Sequence, residues 1–244
     1  MDFADLKERQ SKPWTERPEG VVLEAVLGSR AYGLDHEESD EDRLGVFLAP
    51  SDAFFALDDV RETAKNPWAD EVLHELGKMC RLLLKVNPSV TEMLWVTDHE
   101  ICTPVGQELI ELRSAFLSAP YCRSAFLGYA TSQLGKLKAR LGDPLPADLH
   151  QSTAKNARHL ARLLVSGFGL WSTGHLRVRL DDPQWFLDFG EQVAGGDLLA
   201  AEDLIGNYEQ LFTDTPTVLP PQPDRERIDA WLRATRQRAL TGAV

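Results

Sequence analysis

The chain has 244 residues, 43% of them hydrophobic, and a formal net charge of −12. That length holds one large domain or two modest ones, and no apolar run approaches the roughly 20 residues a membrane span needs. The acidic balance excludes wholesale electrostatic wrapping of nucleic acid.

The opening residues, Met1-Asp2-Phe3-Ala4-Asp5, lack the basic and apolar regions of a secretion signal. The three cysteines, Cys80, Cys102 and Cys122, form no close pair and fit no zinc spacing. Both features lead us to expect a cytoplasmic protein. Residues 1 to 19 read as a polar lead-in punctuated by Lys12-Pro13 and Arg17-Pro18-Glu19-Gly20. The run Val21-Val22-Leu23-Glu24-Ala25-Val26-Leu27 then predicts a buried strand. It breaks at Gly28-Ser29, a small-residue turn whose backbone N–H groups suit a phosphate.

A second strand is predicted over Asp40 to Leu48. Its alternation places Asp40, Asp42, Leu44 and Val46 on one face. Two carboxylates at i and i+2 repel each other unless a cation sits between them. A phosphate cradle beside paired carboxylates suits a magnesium–nucleotide complex. Pro50 to Asp59 and Asn66-Pro67-Trp68 read as irregular excursions, and Asp70 to His74 as a short third strand.

Leu76, Met79, Cys80, Leu83 and Leu84 recur at helical spacing, with Cys80 a small buried hydrophobe on that stripe. This helix should stop at Asn87-Pro88, and the segment Ser89 to Val96 should supply core residues. From Gly106 the pattern is helical, through Phe126–Leu137 and Ala154–Leu170, with Gly142–Pro146 as a connector. Gly174 should end the third of these helices. Leu176–Leu180 alternates like a strand, Leu219–Pro223 reads as a linker, and Arg225–Leu240 as a final helix.

The Gly-Ser turn followed about ten residues later by Asp-x-Asp resembles the nucleotidyltransferase superfamily of DNA polymerase β. The fuller strings, Gly28-Ser29-Arg30-Ala31-Tyr32-Gly33 and Ser39-Asp40-Glu41-Asp42-Arg43-Leu44-Gly45-Val46, resemble a bacterial and phage group of predicted nucleotidyltransferases linked to RNA repair. Glu75-Leu76-Gly77-Lys78 and Lys85-Val86-Asn87-Pro88 extend the likeness, which runs from about Val21 to Leu180.

The resemblance implies three carboxylates acting with two metal ions. Asp40 and Asp42 are two of them. The third should lie on the next strand, where Asp70, Glu71 and Glu75 are the candidates. Asp70 is preferred because it precedes that strand's apolar residues, while Glu75 could equally be a helix N-terminal charge. The metal set is thus Asp40, Asp42, Asp70 and Glu75, the catalytic set Asp40, Asp42 and Asp70, and the cofactor Mg²⁺ or Mn²⁺.

The charge is uneven. Between Tyr121 and Leu180 nine basic residues stand against Asp143 and Asp148. Lys155, His159 and Arg162 fall at i, i+4 and i+7 on one helix face, and the family has a similar Lys-x-x-x-His-x-x-Arg. With Gly28, Ser29 and Arg30, they form the expected nucleotide-binding set. The expected fold is α+β, with a small mixed sheet over residues 1–100 and a mostly helical part over 101–244 closing the cleft. The expected function is Mg²⁺-dependent transfer of a nucleoside monophosphate from an NTP to a hydroxyl: an RNA 3′ end, which the resemblance favours and the acidic net charge weighs against, a small molecule or a protein side chain. A non-catalytic nucleotide-binding regulator and a non-catalytic RNA-repair partner are the other readings.

Overall fold

The computed structural model describes residues 17–37, 39–66, 69–140 and 147–242. The architecture is α+β: a five-stranded mixed sheet followed by helices. The strands are β1 (Val21–Val26), β2 (Arg43–Phe47), β3 (Thr63–Asn66), β4 (Glu71–Glu75) and β5 (Ile101–Cys102). Their spatial order is β3-β4-β2-β1-β5. β2 and β4 run parallel, and the other neighbours are antiparallel.

Two faces follow from this register. Leu44 and Val46 of β2 pair with Val72 and His74 of β4, while Gly45 and Phe47 pair with Leu73 and Glu75. The first face joins the main core beneath the helices. Phe47 and Leu73 instead form a small second core with Ala49 and Ala64.

Helix α1 (Gly28–Tyr32) occupies the Gly-Ser turn and ends at Gly33, which adopts a left-handed conformation. The sheet is flanked by α2 (Leu76–Leu83), α3 (Pro88–Met93) and α4 (Pro104–Glu111). Gly106 lets α4 press directly on β1, since a Cβ there would overlap the Val22 carbonyl oxygen. The sheet layer thus extends past residue 100 into β5 and α4. Cys80 and Cys122 are buried, Cys102 is exposed, and all three are free.

The helical part comprises α5 (Ala119–Arg140), α6 (Ala147–Thr173), α7 (Pro183–Ala194), α8 (Leu198–Asp214) and α9 (Arg225–Leu240). α5 and α6 pack antiparallel. Gly167 brings α6 against Phe126, and Arg140 Nη1 reaches Ser152 Oγ at 2.8 Å. Phe212 of α8 packs edge-on against Phe168 and Trp171 of α6. α9 returns to the sheet layer, where Arg236 meets Glu75 and Arg238 meets Glu108. None of the described helices is long and apolar enough to cross a membrane.

Several boundaries differ from expectation. β2 begins at Arg43, so Asp40 and Asp42 lie in the loop leading into it. The Gly-Ser turn is helical, and the excursion before Asp70 contains β3. Leu176–Leu180 keeps its alternating burial but makes no ladder among the described residues. It lies over α1 and is tied there by Leu180 N–H donating to Tyr32 O at 3.1 Å. Most of the lead-in before Arg17, the connector Gly142–Pro146, and Pro67 and Trp68 fall outside the described residues.

Candidate active site

The site begins with three backbone segments pinned together. Leu27 N–H, at the end of β1, donates to Asp42 O at 2.8 Å, and Arg43 N–H donates to Asp70 O at 2.9 Å. The Gly-Ser helix, the acidic loop and the start of β4 therefore converge at one end of the sheet. Asp70 holds a left-handed backbone with φ of 43°, a conformation aspartate tolerates better than most residues.

Gly28 also has a positive φ, and a Cβ there would overlap the Asp42 carboxylate. The acidic loop can close over α1 only because that atom is missing. No side chain caps α1.

Partial burial pushes the Asp42 carboxyl up from its ordinary value; Lys155 opposes this, and the negative charges of Asp70 and Asp40 reinforce it. Asp40, Asp70 and Lys155 thus each act electrostatically on Asp42. Asp40 and Asp42 border a cleft of about 760 Å³ together with Gly28, Ser29 and Tyr32, while Asp70 itself is not among the residues lining it. The opposite wall carries Lys155, His159 and Arg162 of α6 and Lys136 of α5.

Glu75 lies elsewhere. At about 3.3 Å per residue along the strand, it is roughly 16 Å from Asp70, and its partner in the ladder is Phe47, on the face away from Leu44. Its Oε2 accepts from Gly77 N–H at 2.7 Å and Lys78 N–H at 3.2 Å, capping α2, while Oε1 accepts from Arg236 Nη2 at 3.0 Å. Its place is structural, and we withdraw it from the metal set. Glu71 is also turned away, bonded to Arg17 Nε at 3.0 Å.

Arg30 requires a second correction. It leaves the cleft for the outer side of α1, where it donates to Ser39 O at 3.0 Å and lines a separate cavity of about 540 Å³. Arg162 requires a third. It borders the cleft but is 3% exposed and ion-paired with Glu92, which is 1% exposed. Its guanidinium lies 3.8 Å from the centre of the Tyr32 ring, and Tyr32 Oη donates to Glu92 Oε2 at 2.7 Å. A basic residue at i+7 from Lys155 is therefore a buried strut joining α1, α3 and α6.

Sequence reasoning missed Tyr32, Gln133, Gln151, Ser152 and Asn156, and read Lys136 and Arg158 only as part of the basic middle; all of them line the cleft. Glu92 offered a signal, as a lone acid among Val90, Met93, Leu94 and Trp95 that needed a cationic partner.

Among the described residues, no three acidic, thiol or imidazole groups form a ready-made metal centre. The donors nevertheless suit magnesium. This hard ion commonly takes one or two carboxylates and completes its shell with waters and substrate phosphates. Asp40 and Asp42 offer oxygen donors beside a space open to a ligand, and their repulsion is one that a cation would relieve.

The strand, the Gly-Ser helix, the Asp-x-Asp loop and the basic helix thus meet around one cleft, and a family match makes the protein nucleotidyltransferase-like. Residues 4–178 match the family described as RlaP, RNA repair pathway DNA polymerase beta family, and the chain belongs to that family. No curated protein matches the chain.

Proposed function

We propose that the protein transfers a nucleoside monophosphate from an NTP to a hydroxyl acceptor, with Mg²⁺ or Mn²⁺ held by Asp40 and Asp42. The observation that carries this reading is the Asp42 carboxylate closing over Gly28 while Lys155 faces it across the cleft. The family's place in an RNA repair pathway favours an RNA 3′ end as acceptor.

When bound, the divalent ion would neutralise triphosphate charge and polarise the reacting phosphate. The chain's own residues do the rest. Ser29 offers a hydroxyl at the cleft edge to a phosphate oxygen. Lys155 stabilises the charge that builds on the departing pyrophosphate. Asp70, beside Asp42 at the end of the sheet, orients the attacking hydroxyl and takes its proton. In the transfer, the hydroxyl oxygen bonds to the α-phosphorus as the bond to pyrophosphate breaks and pyrophosphate departs.

The test uses each of the four NTPs labelled at the α-phosphate, with Mg²⁺ or Mn²⁺ and an RNA bearing a free 3′ hydroxyl. Label should join the RNA, and blocking that hydroxyl should abolish incorporation.

A further inference from the structure

His159 stands one helical turn beyond Lys155, and its ring borders the same cleft. Arg162 Nη2 lies 3.2 Å from His159 Nδ1. A guanidinium has donors only and keeps its charge at any pH a protein meets. Within this pair the arginine donates, so Nδ1 is the bare, accepting nitrogen. A neutral imidazole carries its one proton on the other nitrogen, which here is Nε2.

Arg162 cannot easily turn away. Its Nη1 donates to Glu92, its face stacks on Tyr32, and it is buried. Among the described residues no hydrogen-bond partner meets His159 Nε2. Burial, together with the charges of Arg162, Lys136 and Lys155 around the ring, holds its pKa down to about 3. Protonating Nδ1 would break the bond to Arg162 and place two cations side by side.

We propose that Arg162 locks His159 in its Nε2–H tautomer, making it a neutral hydrogen-bond donor to a phosphate oxygen of the nucleotide; this rests on the nucleotide-binding reading of the cleft. Arg162 is then a positioning residue. His159 holds the substrate and gives up no proton, so the pyrophosphate departs without general-acid help from this ring. The pattern Lys-x-x-x-His-x-x-Arg thereby acquires a division of labour: a charge at Lys155, a neutral donor at His159 and a strut at Arg162.

Two measurements test this. With isotopically labelled histidine nitrogens, His159 should show a protonated Nε2 and a bare Nδ1 throughout about pH 5 to 8. A proton on Nδ1, or an imidazolium titrating within that window, would overturn the tautomer. Affinity is then measured for a non-transferable NTP with Mg²⁺, and for inorganic tripolyphosphate. His159→Ala should weaken both by roughly tenfold, the scale of one lost hydrogen bond to a charged acceptor. His159→Gln, whose amide can donate from a similar place, should recover most of the loss, which a merely structural ring would not allow. Thermal unfolding of both variants checks that the Arg162–Glu92 pair survives. Parental affinity in His159→Ala would overturn the donor role while leaving the nucleotide reading intact. Failure of the parent protein to bind any NTP would overturn both.

Discussion

Asp42 closes over Gly28: a Cβ built on that glycine would overlap Asp42 Oδ2 and lie 3.0 Å from its carboxyl carbon. With a φ of 68°, the glycine is required twice, once by its backbone and once by the carboxylate above it. Gly28→Ala should therefore cost about 1–2 kcal/mol of stability. It should also weaken NTP binding by roughly tenfold or more, because the acidic loop must move outward. Thermal unfolding and equilibrium NTP binding measure the two effects. Unchanged binding would show that the loop position does not matter to the ligand.

The sign of the pH effect at Asp42 follows from its environment. Its carboxyl is pushed up by partial burial, with Asp70 and Asp40 adding to the rise and Lys155 opposing it. A raised folded-state pKa contributes stability that is present below the ordinary aspartate value and is lost as pH rises through the folded value. In metal-free buffer Asp42→Asn should melt higher than the parent at neutral pH, and the gap should shrink on acidification. Mg²⁺ should raise the parent's melting temperature and leave Asp42→Asn nearly unmoved. A variant that melts lower without metal would contradict the repulsion.

Lys155 and Arg162 share a helix but should respond in opposite ways. Arg162 and Glu92 are both buried, and removing one partner from such a pair costs about 3–5 kcal/mol. Arg162→Ala should therefore lower the melting temperature by roughly 6–20 °C. Lys155 is exposed, so Lys155→Ala should shift it by about 2 °C or less while raising KM for NTP and lowering kcat. Calorimetry beside steady-state kinetics separates the two. Equal thermal losses would place Lys155 in the packing as well.

The third carboxylate is decided by comparing Asp70→Asn with Glu75→Ala. Asp70, just before β4, lies beside Asp42, just before the parallel β2, so Asp70→Asn should reduce kcat more than NTP affinity and leave the fold intact. Glu75 caps α2 and pairs with Arg236. Its loss should cost about 2–3 kcal/mol, from one cap and one charged hydrogen bond, while the folded fraction keeps its kcat. A dead but stable Glu75→Ala would reverse the assignment.

The sequence marked which residues meet at the cleft better than which elements carry them. The Gly-Ser turn, the Asp-x-Asp pair and the basic helix were visible because each depends on residue types at short spacing. β3 was missed because Thr63-Ala64-Lys65-Asn66 has little β-branched or aromatic content, and β5 because two residues carry no period. Leu176–Leu180 shows the limit of alternation: it buries every second side chain against α1 and its surroundings without a strand partner among the described residues. Arg30 points outside the cleft, and Arg162 borders it as its helix face predicts but is buried against Glu92. Helix spacing tells which residues share a face, but not whether a carboxylate as distant in sequence as Glu92 waits on the other side. For Glu75 the local pattern allowed two readings, and only the β2–β4 register separates them.

The most direct test of the central claim is transfer by the parent protein and by the Asp40→Ala and Asp42→Ala variants. Each is incubated with α-phosphate-labelled NTP, Mg²⁺ and an RNA ending in a free 3′ hydroxyl. The account predicts labelled RNA with the parent and none with either variant, while both variants melt at or above the parent's temperature in metal-free buffer. Equal labelling by the parent and both variants, or no labelling by the parent with any NTP, would contradict it.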